Sequence, residues 1–389
     1  MTRGDGALIT PEVLKWARQL ARMTLPIAAA RADVLPDELA SWESGLASLT
    51  VPQARRLARA YEQPFAAFYL PEAPKLRFVP LPDYRRRSAQ SNIEDDVDLT
   101  LERLRLARQR DHTIEYSGLL GRTIPSFSFT TSLDADPEAV GKALRQTLGL
   151  TLKVQHSWRE HRKGFNWLRA KVERMNVLVI QMAGLPVDDF RGFSVFEQPL
   201  PQVVVNRSDS YSGRAFTLIH EVTHLGLGSG GICNLRPDPR GEAGTRAIET
   251  YCNAVAAATL MPKPQMLAHQ VVDGREANPE WEDAELAEIS RDFGTSPDAV
   301  LRRLHTLGLT TKAFYLRKLR EFAARRARLA KPGFINVIPN LLSLAGRPFV
   351  GLVIDAYANK KISLSEVSDA LGVQTKHIDD IARTIGAKA

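Results

Sequence analysis

Apolar positions between residues 10 and 70 recur at helical spacing in short bursts, each closed by turn residues. Leu14, Ala17, Leu20 and Ala21 share one face of a first helix that begins after Thr10-Pro11, where proline suits the first turn. A second helix is expected over about 26–32 and a third from Pro36 to about Glu43, stopped by Ser44-Gly45. A fourth, over about 51–61, turns Ala54, Leu57, Ala58 and Tyr61 inward. Short helices with tight turns predict a helix-turn-helix bundle over residues 1–70.

The periodicity then stops. Pro71, Pro74, Pro80 and Pro82 keep the chain extended and Arg85-Arg86-Arg87 makes it basic, so 71–92 reads as a linker. Residues 94–118 return to one charged amphipathic helix, with Leu99, Leu101, Leu104, Leu106 and Ile114 set among arginines. Further helices are expected near 136–148, entered at Asp134-Ala135-Asp136-Pro137, and near 156–175. The convincing strands follow: the β-branched run Val177-Leu178-Val179-Ile180, the weakly alternating Phe193-Ser194-Val195-Phe196, and Val203-Val204-Val205. From Gly213 onward the pattern is helical to the end. The fold class predicted is α+β, mostly α, with one small sheet near the middle.

Length and composition bound this picture. At 389 residues the chain suggests two or three domains, and 44% hydrophobic with 25% charged residues is a globular composition. No apolar run approaches the ~18 residues of a membrane span, and Met1-Thr2-Arg3-Gly4-Asp5-Gly6 leads into no signal-like apolar stretch. A cytoplasmic protein without membrane contact is the expectation. Two cysteines, Cys233 and Cys252, are too few for a disulfide framework and fit a reducing compartment. The net charge of +8 permits nucleic-acid contact without demanding it.

Within the helical stretch after Gly213, His220-Glu221-Val222-Thr223-His224 spells H-E-x-x-H. Residues four apart lie on one helix face, so His220 and His224 can aim at one Zn2+ ion. Glu221, rotated off that pair, is placed to take a proton from a water on the metal. The bland alternative is a buried helix with two satisfied histidines. A catalytic zinc takes three protein ligands and keeps a position open. The helix expected over Thr245–Met261 supplies Glu249 as the candidate third ligand, with Asn253 four residues on to orient it. Glu242, in the glycine-rich stretch before that helix, is the rival, and Glu249 could also be a plain surface carboxylate. Tyr211 and Tyr251 are candidate oxyanion donors, between which the sequence does not choose. Cys233 and Cys252 read as small buried thiols.

Several runs in order carry a family resemblance: Arg191-Gly192-Phe193-Ser194, Pro201-Gln202-Val203-Val204-Val205-Asn206, Arg214 through His224, and Ile248-Glu249-Thr250-Tyr251-Cys252-Asn253-Ala254-Val255 closed by Leu260-Met261-Pro262. Over roughly 150–310 the chain resembles the ImmA/IrrE metallopeptidases. That resemblance implies a zincin-like core, zinc on His220, His224 and Glu249, and Glu221 as the catalytic base. Cys252 stands where that pattern has alanine and Val255 where it has an aromatic, packing-scale departures that spare the ligands. The first helices, with Leu39-Ala40-Ser41-Trp42-Glu43-Ser44-Gly45, resemble Cro/CI-type (XRE) helix-turn-helix domains. Their groove-facing helix nevertheless offers Asp37, Glu38, Ser41 and Glu43 and no Lys, Arg, Asn or Gln, a poor set for phosphates and bases.

Two later segments share a spacing: Ser290 through Gly294, then a helix to Gly308, and Ser368 through Gly372, then a helix to Gly386. The first carries Arg302 and Arg303 and runs into Arg317, Lys318, Arg325 and Arg326, the best candidate nucleic-acid contacts in the chain. The domain scheme is therefore 1–70 helix-turn-helix, 71–92 linker, 93–310 peptidase, 311–333 basic helix, and 334–389 a small helical module. What the resemblance implies is a zinc endopeptidase that cuts a regulatory protein, a repressor of stress genes or an antitoxin. The competing reading is a DNA-binding regulator or toxin–antitoxin protein that uses the peptidase fold as a sensor. DNA binding and homodimer formation both stay open.

Overall fold

The computed structural model describes residues 7–74, 93–182, 187, 190–228, 231–233, 243–275, 280–326 and 336–386. Contacts divide the chain into two units. One takes in the described residues of Met1–Pro80, Arg87–Leu120 and Val353–Ile378; the other takes in those of Gly121–Leu352 and Asp379–Ala389.

In the first unit, α1 (Pro11–Leu20), α2 (Leu25–Ala32), α3 (Pro36–Glu43) and α4 (Val51–Ala60) close around one core with α5 (Ile93–Leu119). Val13, Leu14, Ala17, Leu39, Ala54, Leu57 and Tyr61 are buried in it, as the helical periodicity requires. Thr50 and Gln53 cap α4 reciprocally, each side chain meeting the other's backbone N–H. Three residues join α2 to α3, with Asp33 in the left-handed conformation at φ 52°. Of the acids on α3, Glu43 accepts two hydrogen bonds from Arg18, at 2.7 and 2.8 Å, and is nearly buried. Glu38 turns back to the Leu35 N–H. Ile114, expected inside α5, is exposed. By sequence, 93–119 belongs with the peptidase segment; in the structure α5 groups with the N-terminal helices.

The second unit holds the remaining helices of interest and the sheet: α6 (Pro137–Leu148), α7 (Leu152–His156), α8 (His161–Glu173), β1 (Leu178–Met182), β2 (Gly192–Val195), β3 (Gln202–Asn206), α9 (Tyr211–Gly226), β4 (Gly231–Cys233) and α10 (Ala243–Leu260), then α11 (Lys263–Leu267), α12 (Asp283–Phe293), α13 (Pro297–Thr306), α14 (Lys312–Arg326) and α15 (Val337–Ala345). The strand order is β1-β3-β2-β4, with β1 parallel to β3 and the other pairs antiparallel. Val179 faces Val203, Phe193 faces Val204, and Ser194 lies between Val203 and Gly231. Every residue of β1, β2 and β3 is buried, which matches the continuous apolar runs of β1 and β3 and goes beyond the weak alternation of β2. The expected strands are all present, one or two residues displaced. β4 was not foreseen, since three residues following a glycine run carry no readable period.

The single helix expected over 156–175 is broken. α7 ends at His156 and α8 begins at His161, because Trp158 turns inward between them. Its indole packs against Gly164 and Gly294, where any Cβ would come within 2.7 Å of the ring. α9 is buried from Ser212 through Gly226, held between the sheet on one side and α8 and α10 on the others. Ala215, Phe216, Leu218, Ile219, Val222 and Leu225 spread over a broad arc of its circumference, so α9 forms the centre of the core and carries its polar residues into it. Residues 336–345, assigned by sequence to a separate C-terminal module, are tied to β1 and its neighbours instead. Arg169 donates to the carbonyls of Ser343 and Val179, at 2.8 and 2.5 Å, and Gln181 donates to Ser343.

The repeated glycine spacing corresponds to a repeated local structure. Gly294 and Gly372 both sit at φ 63°, and Ser290 and Ser368 each donate to a carbonyl five residues on, at 2.7 and 2.6 Å. α17 (Leu364–Leu371) and α18 (Ile378–Ile385) belong to the second copy, preceded by α16 (Arg347–Ala358). Among the described residues no single helix is long and apolar enough to cross a membrane.

Candidate metal centre

α9 delivers His220, Glu221 and His224 into the interior, and all three are 0% exposed. Glu249 reaches them from α10 and is 1% exposed. The Nε2 atoms of His220 and His224 lie 3.1 Å apart. Glu249 Oε1 is 3.1 Å from His224 Nε2 and Glu249 Oε2 is 3.5 Å from His220 Nε2. Ligands about 2.0–2.1 Å from a tetrahedral zinc are separated from one another by about 3.3 Å. The observed distances scatter around that value, with each Glu249 oxygen facing one imidazole, so the donors of the three side chains already converge on one point. Among the described residues these are the ones whose ligand atoms converge, all within 4.8 Å of one another. Two imidazole nitrogens and a carboxylate, dry and facing one point, fit a zinc-sized cation.

Electrostatics point the same way. Burial works against the charge on Glu249, but the charges and hydrogen bonds of His220 and His224 outweigh it, and the carboxyl is held well below the ordinary carboxylate range. Cys252 stands close enough to feel Glu249 and Glu221. Burial first, and those two negative charges second, push its thiol well up, so it remains protonated and inert.

The sheet sets the position of Glu221. Ser194 Oγ on β2 donates to Glu221 Oε2 at 2.9 Å, and Ser194 is itself 0% exposed. Two residues earlier, Gly192 leaves the strand open on the same face. A Cβ there would come within 2.5 Å of Thr217 Cγ2, 2.7 Å of the Val204 carbonyl and 3.3 Å of Glu221 Oε1. The sequence alone assigns Gly192 and Ser194 no role. The available signal was a glycine inside a strand, which marks close approach of a neighbour.

The other sequence candidates divide. Asn253 lies on the Glu249 face of α10 and is 9% exposed. Tyr251 does not join the group: it is turned away from Glu249 on α10, and its hydroxyl is paired with Thr131 Oγ1 at 2.7 Å. Tyr211 begins α9 nine residues before His220, about 13 Å along the axis, and the Arg214 guanidinium covers its ring at 4.2 Å. Glu242 lies outside the described residues, as do the side chains of Cys233, Arg325 and Arg326.

The basic window fares poorly as a nucleic-acid surface. Arg303 is 2% exposed, donating to the Met261 carbonyl at 2.9 Å and to Glu138 at 2.5 Å. Arg302 is half-buried. Arg317 pairs with Glu280, and Lys318 with Asp283 and Glu321. The partners of Arg303, Arg317 and Lys318 come from α6, from Glu280 just before α12, from Asp283 at its start and from Glu321 within α14 itself.

Residues 172–305 match the family model Peptidase_M78, the IrrE N-terminal-like domain. No curated protein matches the chain. The matched span begins in α8, ends in α13, and contains the sheet, α9, α10 and every residue of the metal group. It supports a metallopeptidase-type function for this part of the chain.

Proposed function

We propose that the protein is a zinc-dependent endopeptidase acting on a specific regulatory protein, with a helix-turn-helix repressor or an antitoxin as the substrate class. The observation that carries the reading is the buried convergence of His220, His224 and Glu249 beside an oriented glutamate. His220, His224 and Glu249 would hold the zinc. Bound there, zinc supplies Lewis acidity, lowering the pKa of water and polarising a peptide carbonyl. Glu221 would accept the proton from the attacking water and return it to the departing amine. Asn253, four residues along the same helix face, would steady Glu249. The enzyme would work in the reducing cytoplasm, where Cys252 stays a free thiol.

The N-terminal helices, read as a helix-turn-helix module, would dock the enzyme to its protein partner rather than read bases. Asp37 and Glu38 are exposed on α3, Ser41 is half-buried, and Glu43 is taken by Arg18. Such a surface repels phosphate.

The test combines metal content with cleavage. Purified wild-type protein is expected to carry about one zinc per chain, and His224→Ala very little. A co-expressed helix-turn-helix repressor should disappear with the wild type and persist with Glu221→Gln, which keeps its zinc. Equal loss of the repressor with both enzymes, at full zinc, would sink the catalytic reading.

A further inference from the structure

We infer that Ser194 is a positioning residue: its hydroxyl pins the Glu221 carboxylate to β2 and so prevents that carboxylate from becoming a fourth ligand of a cation held by His220, His224 and Glu249. The inference rests on the metal-site reading above, but not on the identity of any substrate.

The reasoning starts from an electrostatic hazard. Glu221 follows a ligand directly in sequence, and the whole neighbourhood is dry, with His220, Glu221, His224 and Ser194 all at 0% exposure. Opposite charges attract far more strongly in such surroundings than in water. A buried carboxylate with freedom to rotate would move onto the cation and complete a closed four-ligand site, the arrangement typical of structural zinc. A base that has become a ligand no longer leaves room for water.

The fold counters this from the sheet side. Ser194 Oγ donates a hydrogen bond to Glu221 Oε2 at 2.9 Å, a hydroxyl–carboxylate contact of the charge-assisted kind. The donor is fixed, because Ser194 sits mid-strand, flanked by Val203 on β3 and Gly231 on β4. The missing side chain at Gly192 makes the berth for the other carboxylate oxygen, since a Cβ there would lie 3.3 Å from Oε1. Held in this way, Glu221 falls outside the set of ligand atoms that converge within 4.8 Å. A serine serving only to fill the strand would not need its hydroxyl on that oxygen.

The experiment replaces zinc with Co2+ in the full-length chain and compares wild type, Ser194→Ala, Glu221→Gln and the double variant Ser194→Ala/Glu221→Gln. Two quantities are read at fixed pH: the visible ligand-field spectrum, and Co2+ affinity by competition with a chelator. Ser194→Ala is expected to change the spectrum and to bind Co2+ about tenfold more tightly, within the range such neighbours command. Glu221→Gln should keep the wild-type spectrum and bind Co2+ more weakly, having lost a neighbouring negative charge, and adding Ser194→Ala to it should change neither quantity further, because the invading carboxylate is gone. Wild-type spectrum and affinity in Ser194→Ala would overturn the proposal. So would a change that persists in the double variant, which would trace to strand packing instead. If wild-type protein bound Co2+ normally yet cleaved nothing, the peptidase reading would fail while these comparisons stood.

Discussion

At Glu249 burial and its partners oppose each other, and the partners win. The carboxylate gives up water but gains two imidazoles, at 3.1 and 3.5 Å, and its pKa falls below the ordinary range. A group whose folded pKa is depressed stabilises the fold fully above the unfolded value of about 4.3. That contribution is lost as pH falls through the folded value. In chelator-treated protein, Glu249→Gln should therefore cost roughly 2–4 kcal/mol at neutral pH, the scale for losing a buried charged partner. Measured by urea unfolding, the gap between variant and wild type should narrow below about pH 4. A gap that stays constant as pH falls well below about 4 would show that the carboxylate is not held by the histidines.

Spacing between elements is set by small residues where a strand and a helix must nearly touch. β2 comes so close to α9 that Gly192 has no room for a methyl group, and the obstruction includes the Val204 carbonyl, which cannot rotate aside. Gly192→Ala should push β2 from both β3 and α9. The expected loss is about 1–3 kcal/mol in denaturant midpoint experiments, together with a large fall in hydrolysis even though no ligand has changed. Unchanged stability would mean that the sheet yields more easily than its pairing suggests. This close approach also explains what was legible beforehand. H-E-x-x-H declares itself because a helix repeats its face every four residues, and Glu249 with Asn253 follow the same rule. Ser194 depends on a register between strands and on a helix packed across them, and neither leaves a periodic trace. The β-branched runs of β1 and β3 were readable for their composition, whereas β4 is too short to have any. Arg303 failed in the opposite direction. A cation inside a basic run reads as surface, and only the fold brings Glu138 and the Met261 carbonyl to it.

For the whole chain, the metal reading has a thermodynamic consequence that falls unevenly along the sequence. The core around α9 runs from Phe127 to Phe314 and holds the metal group at its centre. The core of α1 to α4 is a separate set of side chains, completed by Val97 and Leu104 of α5. A ligand that binds only the folded form adds about 2.7 kcal/mol at a free concentration of a hundred times Kd. That corresponds to roughly a hundredfold slower exchange for amides that exchange through unfolding of the core holding the metal. Hydrogen exchange of chelator-treated protein, before and after zinc is restored, should show this slowing in β2, β3, α9 and α10. Amides of α1 to α4, which surround no ligand, should keep their rates. Equal slowing in both sets would mean that the two cores open as one, and that zinc stabilises the chain as a single cooperative body.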